Sequence, residues 1–322
     1  MILIAPEHTD VYRHLAAEEY LLHESDDTIL MLWRSRHAVV CGKHQNLCAE
    51  VNYGFCNAHN IDTARRLSGG GTVYHDPGNI NFTFIQSIPE GLQYAVDYRR
   101  FLEPIREALS AFGIETTYSS RNDLLLNGKK ISGNAEHVLQ KKKRVLHHGT
   151  LLFASNTAFL HQALHSTGIY ADKAVKSVRS EVTCIQETKP EWSADEFLAQ
   201  LVLFFEKKPH TNRYVFSEKE EKAIELLRND KFANPTWYMG YSPAYQVTKD
   251  INTSVGKAQI TARIHKQLIQ DLEITFDDKT AVFTPNFTPY LGQMLSTELC
   301  QSIGKELQLI ESYPGESQYF LF

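Results

Sequence analysis

The spacing of apolar residues along the chain predicts an alternation of helices and strands. In TDVYRHLAAEEYLLHE (9–24), apolar residues recur every three or four positions, which is typical of an amphipathic helix. TILMLWRS (28–35) and AVVCGKH (38–44) contain the short, unbroken apolar runs of buried strands. A second amphipathic helix is predicted over VDYRRFLEPIREALSAFG (96–113), where the apolar side chains again share one face.

Strand patterns dominate most of the remaining first half of the chain. The first three follow one another so closely, around glycine-rich turns, that antiparallel hairpins are expected. Helical patterns then prevail from about residue 157 to residue 227. This mixture favours an α+β fold, with helices and sheet in two layers, over a doubly wound parallel sheet. The predicted strands are IDTARRLS (61–68), TVYH (72–75), INFTFIQS (80–87), DLLLNGKKIS (123–132) and VLHHGTLLF (145–153).

A domain boundary is suggested by PTWYMGYSPAY (235–245), where prolines and glycines interrupt the pattern. Beyond it, GKAQITARI and LIQDLEITFD, within residues 256–277, are typical of a hairpin, and a helix is predicted around LGQMLSTELCQSI (291–303). We therefore expect a larger domain over residues 1–242 and a small α+β domain over residues 243–322.

The composition is that of an ordinary globular protein. Of the 322 residues, 43% are hydrophobic and 22% are charged, and the net charge is -5. This weak negative charge gives no indication of nucleic acid or an anionic membrane as a partner, and no apolar run approaches the ~18 residues of a membrane span. The five cysteines are odd in number and form no Cys-x-x-Cys pair, so we expect a reduced, cytoplasmic compartment.

The stretch RRLSGGGTVYHDPGN (65–79) concentrates unusual residues. A phosphate-binding P-loop is excluded, because no GK[ST] follows the three glycines and a strand pattern does. Glycines allow a backbone to approach a ligand closely and to form an anion-binding nest. On a strand, Arg65 and Arg66 point to opposite faces, so at most one is expected at a given ligand. The alternative is a bulged hairpin with solvent-exposed arginines. DPGN (76–79) predicts a turn with glycine in its third position, as in type II.

Two charged positions are candidates for chemistry. In NGKKISGNA (127–135), one of Lys129 and Lys130 faces inward on an extended segment, where its ammonium can bind phosphate or carboxylate oxygens. The alternative is a charged hairpin tip. Glu18 lies within the apolar face of the first helix, and a carboxylate in that position requires a partner or a function. The alternative is a glutamate at the edge of the face, with its charge in solvent.

Two other patterns are interpreted as structural. Cys41-x-x-His44 and Cys56-x-x-His59 resemble parts of a zinc site, but no further ligands recur at zinc-like spacing, so no metal ligand is assigned. KKKR (141–144) lies between two strand patterns and is predicted to be a solvated turn, with a contact to an acidic partner protein as the alternative.

RRLSGGGTVYHDPGNINFTF (65–84), NGKKISGNA and HHGTLLF together resemble the lipoate–protein ligases. LAAEEYLL, LWRSRHAVVCGKHQN, SRNDLLL, SVRSEV and TWYMGYSPAY match the pattern of that family in the same order, so the resemblance covers essentially the whole chain. It implies a catalytic domain similar to biotin protein ligases and class II aminoacyl-tRNA synthetases. Such a domain has a mixed, largely antiparallel sheet and is followed by a small C-terminal domain.

The resemblance also implies two half-reactions at one site. Lipoate and MgATP would give lipoyl-adenylate (lipoyl-AMP) and pyrophosphate. The acyl group would then pass to a lysine of a lipoyl domain, as in the E2 subunits of 2-oxoacid dehydrogenases, or of the glycine-cleavage H protein. Mg²⁺ would bridge the ATP phosphates with few protein ligands. No nucleic acid or membrane partner is implied, and a monomer is expected.

The same resemblance assigns residues to roles. Lys130 would be the catalytic residue, because its charge would offset the negative charge on the carboxylate and phosphate oxygens of the mixed anhydride. The segment 172–179 resembles a loop that orders over the adenylate. The residues implied in ATP or adenylate binding are Arg66 (through phosphate), Gly71, Thr72, Val73, Tyr74, Asn122, Asp123 and Lys130. The residues implied in lipoate binding are Leu15, Glu18, Ser68, Gly69, Gly70, Gly71, His75, Asn79, Lys130 and His148.

Two positions depart from the family pattern. His137 stands where some members have an arginine near the ligand, and Cys48 stands where a bulky residue is common. These departures leave the chemistry intact and bear on the details of the acyl pocket.

Three other functions are considered on the same fold. They are an acyltransferase that takes octanoyl or lipoyl from a preformed donor without ATP, a transferase that depends on lipoyl-AMP, and a non-catalytic lipoate-binding protein. Transferases of the first kind usually use a cysteine nucleophile, and no cysteine lies beside Lys130 or in the glycine stretch. The C-terminal domain favours adenylation, and the intact Arg66, Lys130 and glycines argue against a non-catalytic protein.

Overall fold

The structure is a computed structural model of the chain, and it describes residues 1–89, 97–120, 123–164, 168–178, 180–277, 285–311 and 315–322. The strands are, in chain order, β1 (Ile2–Ile4), β2 (Ile29–Trp33), β3 (Ala38–Cys41), β4 (Asp62–Arg65), β5 (Val73–His75), β6 (Asn79–Ser87), β7 (Thr117–Tyr118), β8 (Leu124–Leu126), β9 (Lys129–Ser132), β10 (Asn134–Leu139), β11 (Arg144–Leu152), β12 (Ile169–Asp172), β13 (Asn212–Arg213), β14 (Tyr245–Thr253), β15 (Gly256–His265) and β16 (Leu268–Phe276). The α-helices are α1 (Val11–Glu24), α2 (Leu47–Glu50), α3 (Tyr53–Ala58), α4 (Tyr98–Ala111), α5 (Thr157–Ala163), α6 (Ala194–Glu206), α7 (Glu218–Leu227), α8 (Pro235–Tyr238) and α9 (Thr297–Glu306).

A six-stranded sheet forms the centre of the fold, in the order β10-β11-β6-β2-β1-β13. Neighbouring strands from β10 to β2 pair antiparallel, whereas β2, β1 and β13 pair in parallel. Helices α4 and α6 cover one face, where Phe101, Leu109 and Phe197 share a buried cluster with Phe82 of the sheet. The mixed, largely antiparallel sheet and the α+β fold class are therefore confirmed.

Helix α1 covers the opposite face of this sheet and begins at a capped residue. The side chain of Asp10 accepts a hydrogen bond from the backbone N–H of Arg13 at 3.0 Å, which satisfies one of the free donors of the first turn. Leu15 and Leu22 are buried in one cluster with Met31 of β2. The predicted amphipathic helix is confirmed, and the apolar face that includes Glu18 is its buried face.

Strand β6 separates an apolar face of the sheet from a polar one. Ile80, Phe82 and Phe84 belong to the cluster beneath α4 and α6. Among the alternate residues, Asn79, Asn81 and Thr83 are polar, and Thr83 contacts α1 through Glu18, whereas Ile85 joins the apolar cluster beneath α1. Since successive side chains of a strand point to opposite faces, Asn79 and Asn81 lie on the same side of the sheet as α1, where the candidate site is found.

The predicted antiparallel hairpins around the glycine stretch are wrong. Strand β4 pairs in parallel with β3, β5 pairs antiparallel with the other edge of β3, and β6 belongs to the large sheet. Helices α2 and α3 lie between β3 and β4 and supply the crossover that a parallel pair requires. The glycine stretch then carries the chain across β3 instead of folding it back along β4.

The turn at residues 76–79 is present, but it is not type II. The backbone N–H of Asn79 donates to the carbonyl of Asp76 at 3.0 Å. Gly78 lacks the left-handed φ that type II requires at its third position. Glycine is needed there for space instead, because an added Cβ would lie 2.2 Å from the carbonyl oxygen of Ala154.

The prediction of a solvated turn at residues 141–144 is wrong for the last of these residues. The three lysines are exposed, whereas Arg144 is buried at the start of β11. Its guanidinium donates to Ser87 Oγ at 3.1 Å and to the carbonyl of Asp27 at 2.8 Å. These bonds compensate for taking the charged group out of water.

The C-terminal part of the chain contains a four-stranded sheet in the order β12-β14-β15-β16. The predicted hairpin is confirmed, since β15 and β16 pair antiparallel. Strand β12 comes from the region predicted to be helical and pairs with β14, so that prediction is wrong over residues 169–172. The division at residue 242 stays a prediction. No helix within the described ranges is long and apolar enough to cross a membrane.

Phe197 provides a test of the core beneath α6. Its ring is fully buried and stacks on Phe153, with the ring centroids 4.4 Å apart. We expect Phe197→Ala to lower the free energy of unfolding by about 3–5 kcal/mol, because the truncation leaves a cavity. Leu203→Ala, on the exposed side of the same helix, is the control, with an expected change of about 0.5 kcal/mol. Urea unfolding followed by circular dichroism measures both, and equal losses would contradict the assigned packing.

Candidate functional site

Two adjoining cavities, with volumes of about 310 and 380 Å³, lie beside the glycine stretch and strand β9. Leu15, Trp33 and Val40 give the first cavity an apolar lining. Leu160 and Leu164 contribute to the lining of the second. A set of residues lines both cavities, including Thr72, Lys130, Gly133 and Thr150, so that the two spaces share one wall.

Lys130 lies where the two cavities meet. Its side chain is 26% exposed, and its Nζ is 2.9 Å from Asp123 Oδ1. The neighbouring Lys129 points outward and pairs with Glu181 at 2.8 Å. Gly133 leaves room for the ammonium, because an added Cβ would lie 3.2 Å from Lys130 Nζ. One lysine therefore faces inward and one outward, as the extended segment predicts.

Arg66 is buried beneath the glycine stretch and holds it in shape. Its Nη2 donates to the carbonyls of Gly69 and Gly71, both at 2.7 Å, its Nη1 donates to Val40 O at 2.9 Å, and its Nε donates to Ser68 Oγ at 2.9 Å. Burial lowers the pKa of the Arg66 guanidinium to about 10, so it stays charged at neutral pH. The phosphate contact implied for this residue stays a prediction.

The structure explains the requirement for glycine at two of the three positions in the glycine stretch. Gly70 has a φ of +86°, a left-handed conformation that other residues rarely adopt. At Gly71 an added Cβ would lie 3.1 Å from Ser177 Oγ, so the missing side chain makes room for the segment that contains this serine. An added Cβ at Gly69 would meet open space.

Arg65 is also buried, and it faces the other side of β4. Its guanidinium donates to the carbonyls of residues 42, 43 and 45, at 2.9, 3.1 and 2.8 Å. It also donates to the carbonyl of Tyr238 at 3.0 Å and to Ser242 Oγ at 2.8 Å, in the segment that precedes the C-terminal sheet. The two arginines do point to opposite faces, but the alternative in which they are exposed to solvent is wrong.

Glu18, His148 and Ser68 form one hydrogen-bonded chain, in which His148 lines the first cavity and the other two lie behind its wall. His148 Nε2 lies 2.6 Å from Ser68 Oγ, and His148 Nδ1 lies 3.0 Å from Glu18 Oε1. Glu18 also accepts the hydroxyl of Thr83 at 2.6 Å, and Thr83 accepts Trp33 Nε1 at 3.0 Å. Glu18 therefore has buried partners, and the alternative of a solvated edge glutamate is wrong.

The structure brings most of the implied site residues to the cavities. Glu18, Ser68, Gly69 and Asn79 lie behind the walls, where the first three join the hydrogen bonds of Arg66 and His148, and Asn79 donates to Asn81 Oδ1 at 3.0 Å. Asn122 lies outside the described residues. The implied residues that line a cavity are Leu15, Arg66, Gly70, Gly71, Thr72, Val73, Tyr74, His75, Asp123, Lys130 and His148.

Sequence reasoning missed several residues of the site. Asn81 and Thr150 line the cavities from the sheet, and their signal is a polar residue at alternate positions of an apolar strand. Gln45 lies behind the wall and Ser177 lines it. Both fall in segments that match the family pattern, and Ser177 belongs to the segment 172–179, but neither is among the residues to which the resemblance assigns a role. Cys48 and His137, the two positions that depart from the family pattern, line neither of these two cavities.

His75 lies on β5 in the wall of the first cavity. Burial, aided by the positive charge of Arg66, lowers the pKa of His75 to about 3. The ring is therefore neutral at physiological pH, and it packs edge-on against Trp33, with the ring centroids 5.6 Å apart.

Comparisons with known proteins agree with one another. Residues 10–206 match the sequence profile of the lipoyl protein ligase A/B catalytic domain. Lipoate–protein ligase 1 of Staphylococcus aureus is 33% identical over 273 residues, which cover 84% of this chain and 82% of that protein. A lipoate-protein ligase A bound with ATP covers 74% of this chain and 98% of its own, with 25% identity and a TM-score of 0.62. The structure of P. falciparum LipL1 in complex with lipoate matches 100% of this chain and 98% of its own, with 21% identity and a TM-score of 0.61. This match shows a likeness of fold.

The buried His75 predicts a pH dependence of stability. The unfolded chain takes up a proton at His75 near pH 6.5, which the folded chain does not until about pH 3, so stability falls as the pH drops below 6.5. In His75→Gln this loss should be shallower by about 1.4 kcal/mol per pH unit between roughly pH 4 and 6. Urea unfolding over that range measures the slope, with His8→Gln at an exposed histidine as the control. An unchanged slope in His75→Gln would show that His75 is not buried as a neutral ring.

Proposed function

The chain belongs to the lipoate–protein ligase family and is a ligase enzyme, and from this premise we propose that it attaches lipoate to an acceptor lysine in two steps driven by ATP. In the first step, a carboxylate oxygen of lipoate attacks the α-phosphorus of ATP, and pyrophosphate leaves. In the second step, the ε-amine of the acceptor lysine attacks the acyl carbonyl, AMP leaves, and the amine loses a proton. The relatives are named as lipoate ligases, and one of them is seen bound with ATP.

The position of Lys130 at the junction of two cavities is the observation that carries the proposal. A carboxylate in one cavity and an α-phosphate in the other would meet at the wall that both share. There the ammonium of Lys130 would bind oxygens of both reactants. Holding two reactants in contact and offsetting the charge that develops between them are the main contributions such a site can make.

The first cavity is proposed to hold the acyl chain of lipoate. Leu15, Trp33 and Val40 offer apolar contacts, whereas His75 and His148 offer polar ones. Glu18 and Ser68 would act from behind, by fixing the orientation of the His148 ring. Lipoate-binding roles for Gly69 and Asn79 would likewise be indirect, through the shape of the wall.

The second cavity is proposed to hold the nucleotide. Thr72, Val73 and Tyr74 line it, directly after Gly71 of the glycine stretch, which lines the first cavity. Arg66, which lines the first cavity, would place its positive charge near the phosphates at the junction, while its hydrogen bonds keep the glycine stretch in shape. Asp123, paired with Lys130, would orient the ammonium at the junction.

A magnesium ion fits the donors of this site. Mg²⁺ prefers oxygen ligands and is commonly held by one or two carboxylates together with substrate phosphates. Among the described lining residues, Asp123 is the carboxylate of the first cavity and Glu50 that of the second. The ion would therefore be held mainly by the ATP phosphates, with few protein ligands. When bound, the ion would neutralise charge on the ATP phosphates, in addition to the charge of Lys130 at the junction.

A transferase that forms a covalent cysteine intermediate is disfavoured by the cysteines. None of the five lines either cavity. Burial raises the pKa of Cys48 to about 11 and that of Cys56 to about 12, which keeps these thiols protonated and poorly nucleophilic. The cysteines are also free of disulfides, which supports the proposed cytoplasmic location.

The proposed acceptors are lipoyl domains of 2-oxoacid dehydrogenase E2 subunits and the H protein, which the resemblance to the family implies. The enzyme is proposed to act on them as a monomer.

Lys130→Ala is expected to lower the rate of acceptor lipoylation by about 10²–10³-fold, because a preorganised positive charge is lost at the reacting oxygens. Lys129→Ala, which removes the outward-facing neighbour, is the matched control and should keep most activity. Intact mass of a lipoyl domain incubated with enzyme, lipoate and MgATP measures the reaction. Full activity of Lys130→Ala would sink the role assigned to this residue.

Pyrophosphate release without an acceptor separates the ligase from the transferases. The wild-type enzyme should release pyrophosphate when both lipoate and MgATP are present. Acceptor labelling from preformed lipoyl-AMP, with no lipoate-dependent pyrophosphate release, would instead identify a lipoyl-AMP-dependent transferase.

A further inference from the structure

The segment 172–178 forms part of the wall that both cavities share. Lys176, Ser177 and Val178 line both spaces. This segment is seated on three consecutive residues that follow β3, His44, Gln45 and Asn46, and each of the three holds a different point of it. Below, these three residues are called the seat.

The contacts between the seat and the segment are specific. The carbonyl of His44 accepts the backbone N–H of Val175 at 3.2 Å. The side chain of Gln45 donates through Nε2 to Ser177 Oγ at 3.0 Å. Asn46 donates through Nδ2 to Asp172 Oδ2 at 3.0 Å, at the beginning of the segment.

Gln45 uses both ends of its amide group. Its Oε1 accepts the backbone N–H of Gly42 at 3.0 Å and the hydroxyl of Thr72 at 2.8 Å. The N–H of Gly42 can only donate, so the oxygen must face it, and the amide nitrogen must then face Ser177. Gln45 is fully buried and lines neither cavity, so it can act on a ligand only through its neighbours.

Ser177 Oγ accepts two hydrogen bonds. One comes from Gln45 Nε2 and the other from the backbone N–H of Thr72 at 2.9 Å. A serine hydroxyl has two lone pairs and one hydrogen. With both lone pairs occupied, its own hydrogen remains as the group available to a ligand. The missing side chain of Gly71 permits this close approach.

We propose that Gln45 is a positioning residue for the activation step: it fixes the hydroxyl of Ser177 as a hydrogen-bond donor toward a phosphate oxygen at the junction of the cavities. Ser177 is the group that would touch the nucleotide, and Gln45 acts through it. This inference rests on the proposed function, because the phosphate it serves is that of ATP or of the acyl-adenylate.

Gln45→Glu is the sharpest variant. It keeps the length of the side chain and the acceptor oxygen for Gly42 and Thr72, but it replaces the donor to Ser177 with a second carboxylate oxygen. The Ser177 hydroxyl would then donate to that carboxylate and be lost to the ligand. Gln45→Met removes the amide without adding charge, and Ser177→Ala removes the hydroxyl on the outer segment with little risk to the fold.

We expect each single variant to lower kcat/KM for ATP in lipoate-dependent pyrophosphate release by about tenfold or more, as loss of one hydrogen bond to a charged group does. The three single variants all act through the Ser177 hydroxyl. The double variant Gln45→Met with Ser177→Ala should therefore have a kcat/KM for ATP within about twofold of that of Ser177→Ala alone. KM for lipoate should change little. Gln267→Met, at a buried glutamine of the C-terminal part, is the control for loss of a buried amide and should keep wild-type kinetics.

The outcomes separate the inference from its premise. Wild-type kinetics in Gln45→Glu and Ser177→Ala, or additive losses in the double variant, would overturn the inference while leaving the ligase intact. If the wild-type enzyme releases no pyrophosphate, the proposed function fails. In that case, calorimetry measures the binding of MgATP alone. The inference requires Ser177→Ala to bind MgATP about tenfold more weakly than the wild-type enzyme, and equal affinities would overturn it. Thermal melting identifies a variant that has lost its fold, in which case the Ser177→Ala result decides.

Discussion

The buried guanidinium of Arg66 is the interaction on which the rest of the site depends. A charged group out of water requires hydrogen-bond partners, and Arg66 finds them in the carbonyls of the glycine stretch and in Val40. In return, these bonds fix the path of a backbone that three glycines would otherwise leave loose. The same side chain holds Ser68, and through it His148 and then Glu18. One buried cation thus connects the glycine stretch, which leads into the wall of the second cavity at Thr72, with the polar residues at and behind the wall of the first.

The neighbouring Arg65 performs a similar task on the other face of β4. It gathers the carbonyls that follow β3 and ties them to the segment around Ser242, which leads to the C-terminal sheet. Gln45 connects Arg65 with the cavity wall. Its carbonyl accepts a hydrogen bond from Arg65, and its side chain donates one to Ser177. The position of Ser177 at the junction therefore depends on bonds that extend from the glycine stretch to the segment around Ser242. This arrangement explains why the two adjacent arginines at the end of β4 are both withdrawn from solvent.

The sequence predicted the parts of this arrangement that depend on local periodicity. Helix α1, the inward face that contains Glu18 and the inward orientation of Lys130 all follow from the period of a helix or a strand. The pairing of β3, β4 and β5 did not, because two short helices reverse the expected direction and nothing local marks them as a crossover. Gly78 is explained by contact with Ala154, which is distant in sequence, and β12 is stabilised by pairing with β14. Most of the site residues came from the resemblance to a family, whereas Gln45 and Ser177 emerged only from their contacts.

Amide hydrogen exchange in an Arg66→Lys variant tests this account most directly. Lysine keeps the positive charge but has no planar fork of donors with which to hold the glycine carbonyls and Ser68 together. The account predicts that exchange at the Thr72 amide, which is bonded to Ser177 in the folded protein, rises by about tenfold or more, while amides of β15 keep their protection. Unchanged exchange at Thr72 would mean that only the charge of Arg66 matters and would contradict its role in shaping the glycine stretch.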